Sequence, residues 1–168
     1  MLAAVLVILG VVMRLVPHMA NFAPITAIAL FSGVYLKKDY ALILPLAAMV
    51  ASDAIIGFDS FESRLTVYSS FLLAGLIGLL VRKKKNIATI AAGSIAGSVI
   101  FYLITNFAYF YPAKMYAHNM AGVFSSYYNA LPFFRNTLAG DLFYTGLLFG
   151  LYEFALYMAK YRSSASIA

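Results

Sequence analysis

Cysteine is absent from the chain, which excludes disulfides, thiolate metal sites and a cysteine nucleophile. Charge is scarce. Only 11% of the residues are Asp, Glu, Lys or Arg, whereas a soluble globular domain carries about 25%. The familiar catalytic signatures are missing too: there is no P-loop, no GxSxG and no HExxH. No catalytic residue and no cofactor is therefore expected. His18 has no second histidine or acidic cluster at ligand spacing, so no metal site is expected either. What is present is apolar. The hydrophobic fraction is 64% and the mean hydropathy +0.89, a composition made for lipid. The length suits one domain, a single bundle without a soluble appendage. Many separate apolar runs point to helices, because barrel strands would show alternation over about ten residues.

Six apolar segments can be marked, at about 2–16, 25–36, 40–57, 65–81, 87–111 and 135–161. The first has neither a basic leader nor a convincing small-residue cleavage site, so it reads as a retained helix rather than a signal peptide. Pro17 stops it. The second has only about a dozen residues, where a full span needs about 20. It either tilts less or thins the bilayer, or the link 17–23 folds back at membrane depth where protein or water satisfies its backbone. Pro24 suits the first turn of that helix, and Pro45 marks a kink in the third. In the fifth, Gly93 and Gly97 form a GxxxG beside Ala88, Ala92 and Ala96, a stripe that lets helices approach closely. The stretch 112–134 reads as an interfacial connection rich in tyrosine.

The net charge of +6 does not indicate nucleic acid, given where the charge sits. Eight of the twelve basic residues fall in three clusters, Lys37–Lys38, Arg82–Lys85, and Lys160 with Arg162. An even number of spans places all three on one side, and the positive-inside rule makes that side cytoplasmic, together with both termini. The expected fold is an all-α polytopic bundle of six transmembrane helices in the plasma (inner) membrane.

On the outer side, Arg14, Arg64, Lys114 and Arg135 balance Asp53, Asp59, Glu62 and Asp141. Ionisable groups at membrane depth usually face a protein interior or a water-filled cavity. Arg14, His18, Asn21, Asp53, Asn106, Arg135, Asn136 and Asp141 are therefore the candidate substrate-binding residues. Arg135 and Asn136 fall near the expected start of the last helix, whose free N–H groups favour an anionic ligand group. Arg14 and Arg135 would hold such a group, with the asparagines on a polar heterocycle. A structural reading weighs equally: Arg14–Asp53 or Arg135–Asp141 as helix-locking ion pairs, and the amides as interhelical glue. Glu153, about two turns before the inner end of the last helix, is expected to pair with Arg82 or Lys160.

The phrases NFAP (Asn21–Pro24), SD (Ser52–Asp53), TNF (Thr105–Phe107) and PFFRNTLAGD (Pro132–Asp141) resemble a family of small bacterial membrane proteins over nearly the whole chain. That family is similar in layout to the substrate-binding S components of energy-coupling factor (ECF) transporters. The resemblance implies six helices, capture of a vitamin or similar small molecule at the outer face, and a coupling subunit with ATPases as partner. The links 17–23 and 112–134 would serve as lids. Rival readings are a membrane enzyme acting on a lipid or isoprenoid, and a structural subunit of a membrane complex.

Overall fold

Each apolar run ends where the local chemistry can end it. Val16 precedes Pro17 and is extended (φ −76°, ψ 136°), as expected of a residue crowded by a following proline ring. The computed structural model describes residues 1–165. Its helices are α1 (Leu2–Leu15), α2 (Ile25–Tyr35), α3 (Tyr40–Ile56), α4 (Phe61–Arg82), α5 (Ile87–Thr105) and α6 (Met120–Ala165), with a 3-10 turn at Ala108–Phe110 between the last two. No strand occurs among the described residues. Three helices are long and apolar enough to cross a membrane, α4, α5 and the Met120–Arg162 part of α6. The other three are shorter apolar helices.

The caps follow the sequence. Ser60 accepts from the Ser63 N–H to open α4, and Gly57 takes a left-handed φ of +109° to close α3. At the head of α5, Asn86 and Thr89 form a reciprocal capping box, at 2.9 and 3.0 Å. Pro45 lies inside α3, which continues through it.

Two boundaries differ from the sequence reading. The fifth helix stops at Thr105 rather than 111, because the Asn106 side chain turns back onto the Tyr102 carbonyl at 2.9 Å. The sixth begins at Met120 rather than near Arg135, and Pro132 sits inside it. Asn119 caps that start, accepting from the Gly122 N–H at 2.9 Å. A proline in a helix removes one backbone bond, and the flanking turns carry the helix past it. The stretch 112–134 is therefore mostly helix rather than a connection.

The centre of the bundle is α2. Residues Ile25–Val34 are all buried, enclosed by α3, α4, α5 and α6. This explains its length: a short helix that is apolar all round is a core helix, with no lipid face to match to the bilayer. Its closest crossing is with α4, where a Cβ on Gly33 would stand 2.6 Å from the Gly75 carbonyl oxygen, with Gly78 alongside. On α5, Gly93 and Gly97 face Leu30 and Thr26 of α2. By contrast, α1 is peripheral and packs on α3, with Gly10 set against Ala48.

The end of the bundle away from the α1–α2 link is tied by charge. Arg82 donates to the Val34 and Leu36 carbonyls, which the end of α2 leaves open. Glu153 pairs with Lys85 (2.5 Å) and accepts from the Tyr35 hydroxyl. Its partner is thus neither of the two expected from the sequence. The Glu153 carboxylate holds the Lys85 ammonium above the usual lysine range.

Candidate functional site

Helices run up to a polar end where α1, α3 and α5 finish and α2 and α4 begin. Two separate arrangements form there. The first is a lock between α1, α3 and α4. Arg14 Nη1 donates to Asp53 Oδ1 at 2.6 Å and to Ser52 Oγ at 2.5 Å. The Tyr68 hydroxyl donates to Asp53 Oδ2 at 2.5 Å. Both carboxylate oxygens of Asp53 are engaged, and the residue is 6% exposed. Such a pair holds three helices in register, as the structural reading of Arg14–Asp53 expects.

The second arrangement surrounds Asp141. This residue is 2% exposed and projects from α6 toward α5 and α2. Ser98 Oγ donates to its Oδ2 at 2.7 Å, and the Thr26 hydroxyl is its other hydrogen-bond partner. One turn further along, Thr145 donates to Ser94 at 3.1 Å. The spacing Ser94–Ser98 on α5 and Thr137–Asp141–Thr145 on α6 puts each set on one helix face, and the two polar stripes meet. Among the described residues no cation lies within ion-pair distance of Asp141.

Between Asp141 and Arg14 lies a cavity of about 330 Å³, lined on its polar side by Arg14, His18, Asn21, Thr26, Thr137 and Asp141. Its apolar side includes Ile25, Met49, Phe71 and Phe101. The two phenyl rings stack at 5.3 Å. The α1–α2 link supplies the rim. Asn21 takes a left-handed φ of +61°, accessible to asparagine more readily than to most residues, and the next residue, Phe22, turns onto α6. There Phe22 meets Phe143 and Tyr144 at 6.0 and 5.5 Å and lies over Gly140, where a Cβ would come within 3.1 Å of it. A second cavity of about 440 Å³ adjoins the lock and is lined by Arg14, Asp53, Asp59, Arg64 and Tyr68. On its rim, hydrogen bonds from Ser63 Oγ and the Ser60 N–H hold the Asp59 carboxyl below the usual carboxylate range.

Of the eight candidate residues, the structure gathers Arg14, His18, Asn21 and Asp141 around one cavity. Asp53 lies behind Arg14 and faces the neighbouring cavity. Asn106 spends its amide on its own helix end, bonding Tyr102 and Thr105. Arg135 is exposed and Asn136 half-buried, and neither lines the cavity. The helix-terminus argument for an anion at Arg135 is also corrected. Arg135 is in the middle of α6, where the backbone N–H groups are already used. Sequence reasoning missed Thr26, Ser98 and Thr137. The recurrence of hydroxyls at i, i+4 on α5 was the signal that would have found Ser98.

The model of one protein family matches residues 1–165 of this chain, and the chain belongs to it: a family of unknown function (DUF6580). No curated protein and no solved structure matches it.

Proposed function

We propose that this member of the DUF6580 family is a multi-pass protein of the plasma membrane that captures a small molecule at its outer face for uptake, in the manner of an ECF S component. The observation that carries the reading is the cavity bounded by Arg14, His18, Asn21 and Asp141. Ligand sites are concave and mostly apolar, with a few convergent polar groups, and start at about 300 Å³. This one matches that description, and charged groups in a chain this poor in charge are otherwise costly.

In this reading the bundle crosses six times with both termini in the cytoplasm. The basic clusters at Lys37–Lys38, at Arg82–Lys85 and at Lys160 with Arg162 then all lie inside. The cavity opens on the opposite side, at the far end of α2 from Tyr35 and Lys85. Energy for release comes from a coupling subunit with ATPases, on the strength of the resemblance. Arg14–Asp53–Tyr68 acts as a helix lock, since its acceptors are engaged within the protein, and Arg14 alone belongs to both lock and cavity.

The experiment is native mass spectrometry of the protein purified in mild detergent, with a thermal-protection screen of vitamins, nucleobases and related heterocycles. The expected result is one compound class that co-purifies or raises the melting temperature. The absence of both co-purification and protection across the library would overturn the proposal.

A further inference from the structure

We infer that the cavity takes a small organic cation, with Asp141 as its counter-charge. The inference rests on reading the cavity as a capture site and adds the charge of what is captured.

The argument is a charge account of the cavity wall. Among the described residues Arg14 is the one arginine or lysine on the wall, and its charge is already met by Asp53 at 2.6 Å. Among the described residues Asp141 has no such partner. Its hydrogen-bond partners are Thr26 from α2 and Ser98 from α5, and Thr137, Tyr144 and Thr145 share its face of α6. All of these are neutral hydroxyls. Across the cavity stand Arg14, committed elsewhere, and His18. His18 is exposed and has its Nδ1 against the Met19 carbonyl at 2.7 Å. Arg135, the other arginine proposed to hold an anion, lies outside. A carboxylate almost removed from water and answered only by hydroxyls is costly unless a positive charge joins it. A positive charge on the ligand would answer the Asp141 carboxylate, whereas an anionic ligand would be repelled by it.

The rest of the lining sets the body of the ligand. The stacked Phe71 and Phe101 rings offer a flat apolar surface, and an aromatic face also attracts cations. The volume of about 330 Å³ is at the small end for ligand pockets. The class is thus a compact, flat compound carrying an amine, an amidine or a cationic ring nitrogen.

A shape-matched charge series tests this on the purified protein: benzamidinium, benzamide and benzoate, read by thermal unfolding. At about ten times its Kd, benzamidinium is expected to raise the melting temperature by about 4 °C, with benzamide and benzoate giving at most a quarter of that. In Asp141→Asn the benzamidinium shift should vanish, while the ligand-free variant melts no lower than the parent, because the substitution removes an unpaired charge. Benzoate protecting as well as benzamidinium, or benzamidinium protection surviving in Asp141→Asn, would overturn the inference. The charge series on the unmutated chain decides the matter even where the variant does not fold. If only neutral or anionic compounds from the wider library protect, the charge assignment falls and the capture reading stands. If neither the library nor benzamidinium protects, both fall.

Discussion

Arg14 has one guanidinium nitrogen, Nη1, set among three acceptors: Asp53, Ser52 and, at 3.4 Å, the Met49 carbonyl. The Asp53 side chain is 9% exposed and that of Arg14 is 22% exposed, so the pair is more buried than a surface bridge and wetter than a core one. Surface pairs contribute about 0–1 kcal/mol, and removing one partner of a buried pair costs about 3–5 kcal/mol. Asp53→Asn is therefore expected to cost about 2–3 kcal/mol, an interpolation between those limits. Much of that loss is the price of leaving Arg14 uncompensated, so Arg14→Met added to Asp53→Asn should cost little more than Asp53→Asn alone. A double-mutant cycle by chemical unfolding in detergent checks this, and simple addition of the two losses would show that the pair contributes nothing as a pair. At this scale the sequence was half legible. Ionisable residues in an apolar chain announce themselves, and four of the eight line one cavity. Which of them are used up by neighbours was not legible. That Asp53 is met by Tyr68 and Arg14 while Asp141 is met only by hydroxyls depends on helix rotations that spacing does not fix.

Helix packing turns on positions where a single methyl group has nowhere to go. At the α2–α4 crossing, Gly33, Gly75 and Gly78 bring backbone against backbone, and a Cβ on Gly78 would collide with the Leu30 carbonyl. That neighbour is main chain inside the buried helix, so it cannot swing aside. Gly78→Ala is expected to destabilise by about 1–3 kcal/mol, the range for overpacking a tight interior. Gly146→Ala is the control, since its Cβ would meet nothing within 4 Å, and should move stability by less than about 0.5 kcal/mol. Thermal unfolding of both variants in detergent checks the pair of outcomes, and equal losses would mean the crossing is not tight. The sequence reading pointed to Gly93 and Gly97, which do sit at an interface, but it passed over Gly75 and Gly78. A spacing of three draws less attention than GxxxG, and the partner glycine lies on a helix more than forty residues away. The central place of α2 was equally hidden, because a dozen apolar residues read alike whether they face lipid or other helices.

The length of α6 limits how the whole molecule would sit in a bilayer under the proposed function. Its 46 residues make about 70 Å at roughly 1.5 Å per residue, more than twice the hydrocarbon thickness of about 30 Å. Glu153, tied to Lys85 and Tyr35 at the basic end, marks one level. In the proposed orientation the far surface would fall about 20 residues earlier, near Pro132. In that orientation the first turns of α6 would stand clear of the membrane on the cavity side. Their packing fits this: Tyr102 and Tyr127 bond each other's helix backbones at 2.8 Å, and the Tyr109 hydroxyl donates to the His118 carbonyl at 3.0 Å. The sequence reading took residues 112–134 for an interfacial connection, whereas from Met120 onward they are helix. It began the last helix near Arg135, past Pro132, because a proline inside a helix is the rarer event, and the Asn119 cap is a weak signal on its own. The absence of cysteine makes the arrangement directly testable, since any cysteine introduced is the only one. Ser125→Cys is expected to react with a membrane-impermeant maleimide on intact cells, Lys84→Cys only after permeabilisation, and Gly146→Cys in neither case. Labelling of Ser125→Cys only after permeabilisation would invert the molecule. The cavity would then face the cytoplasm, and capture from outside would no longer be possible.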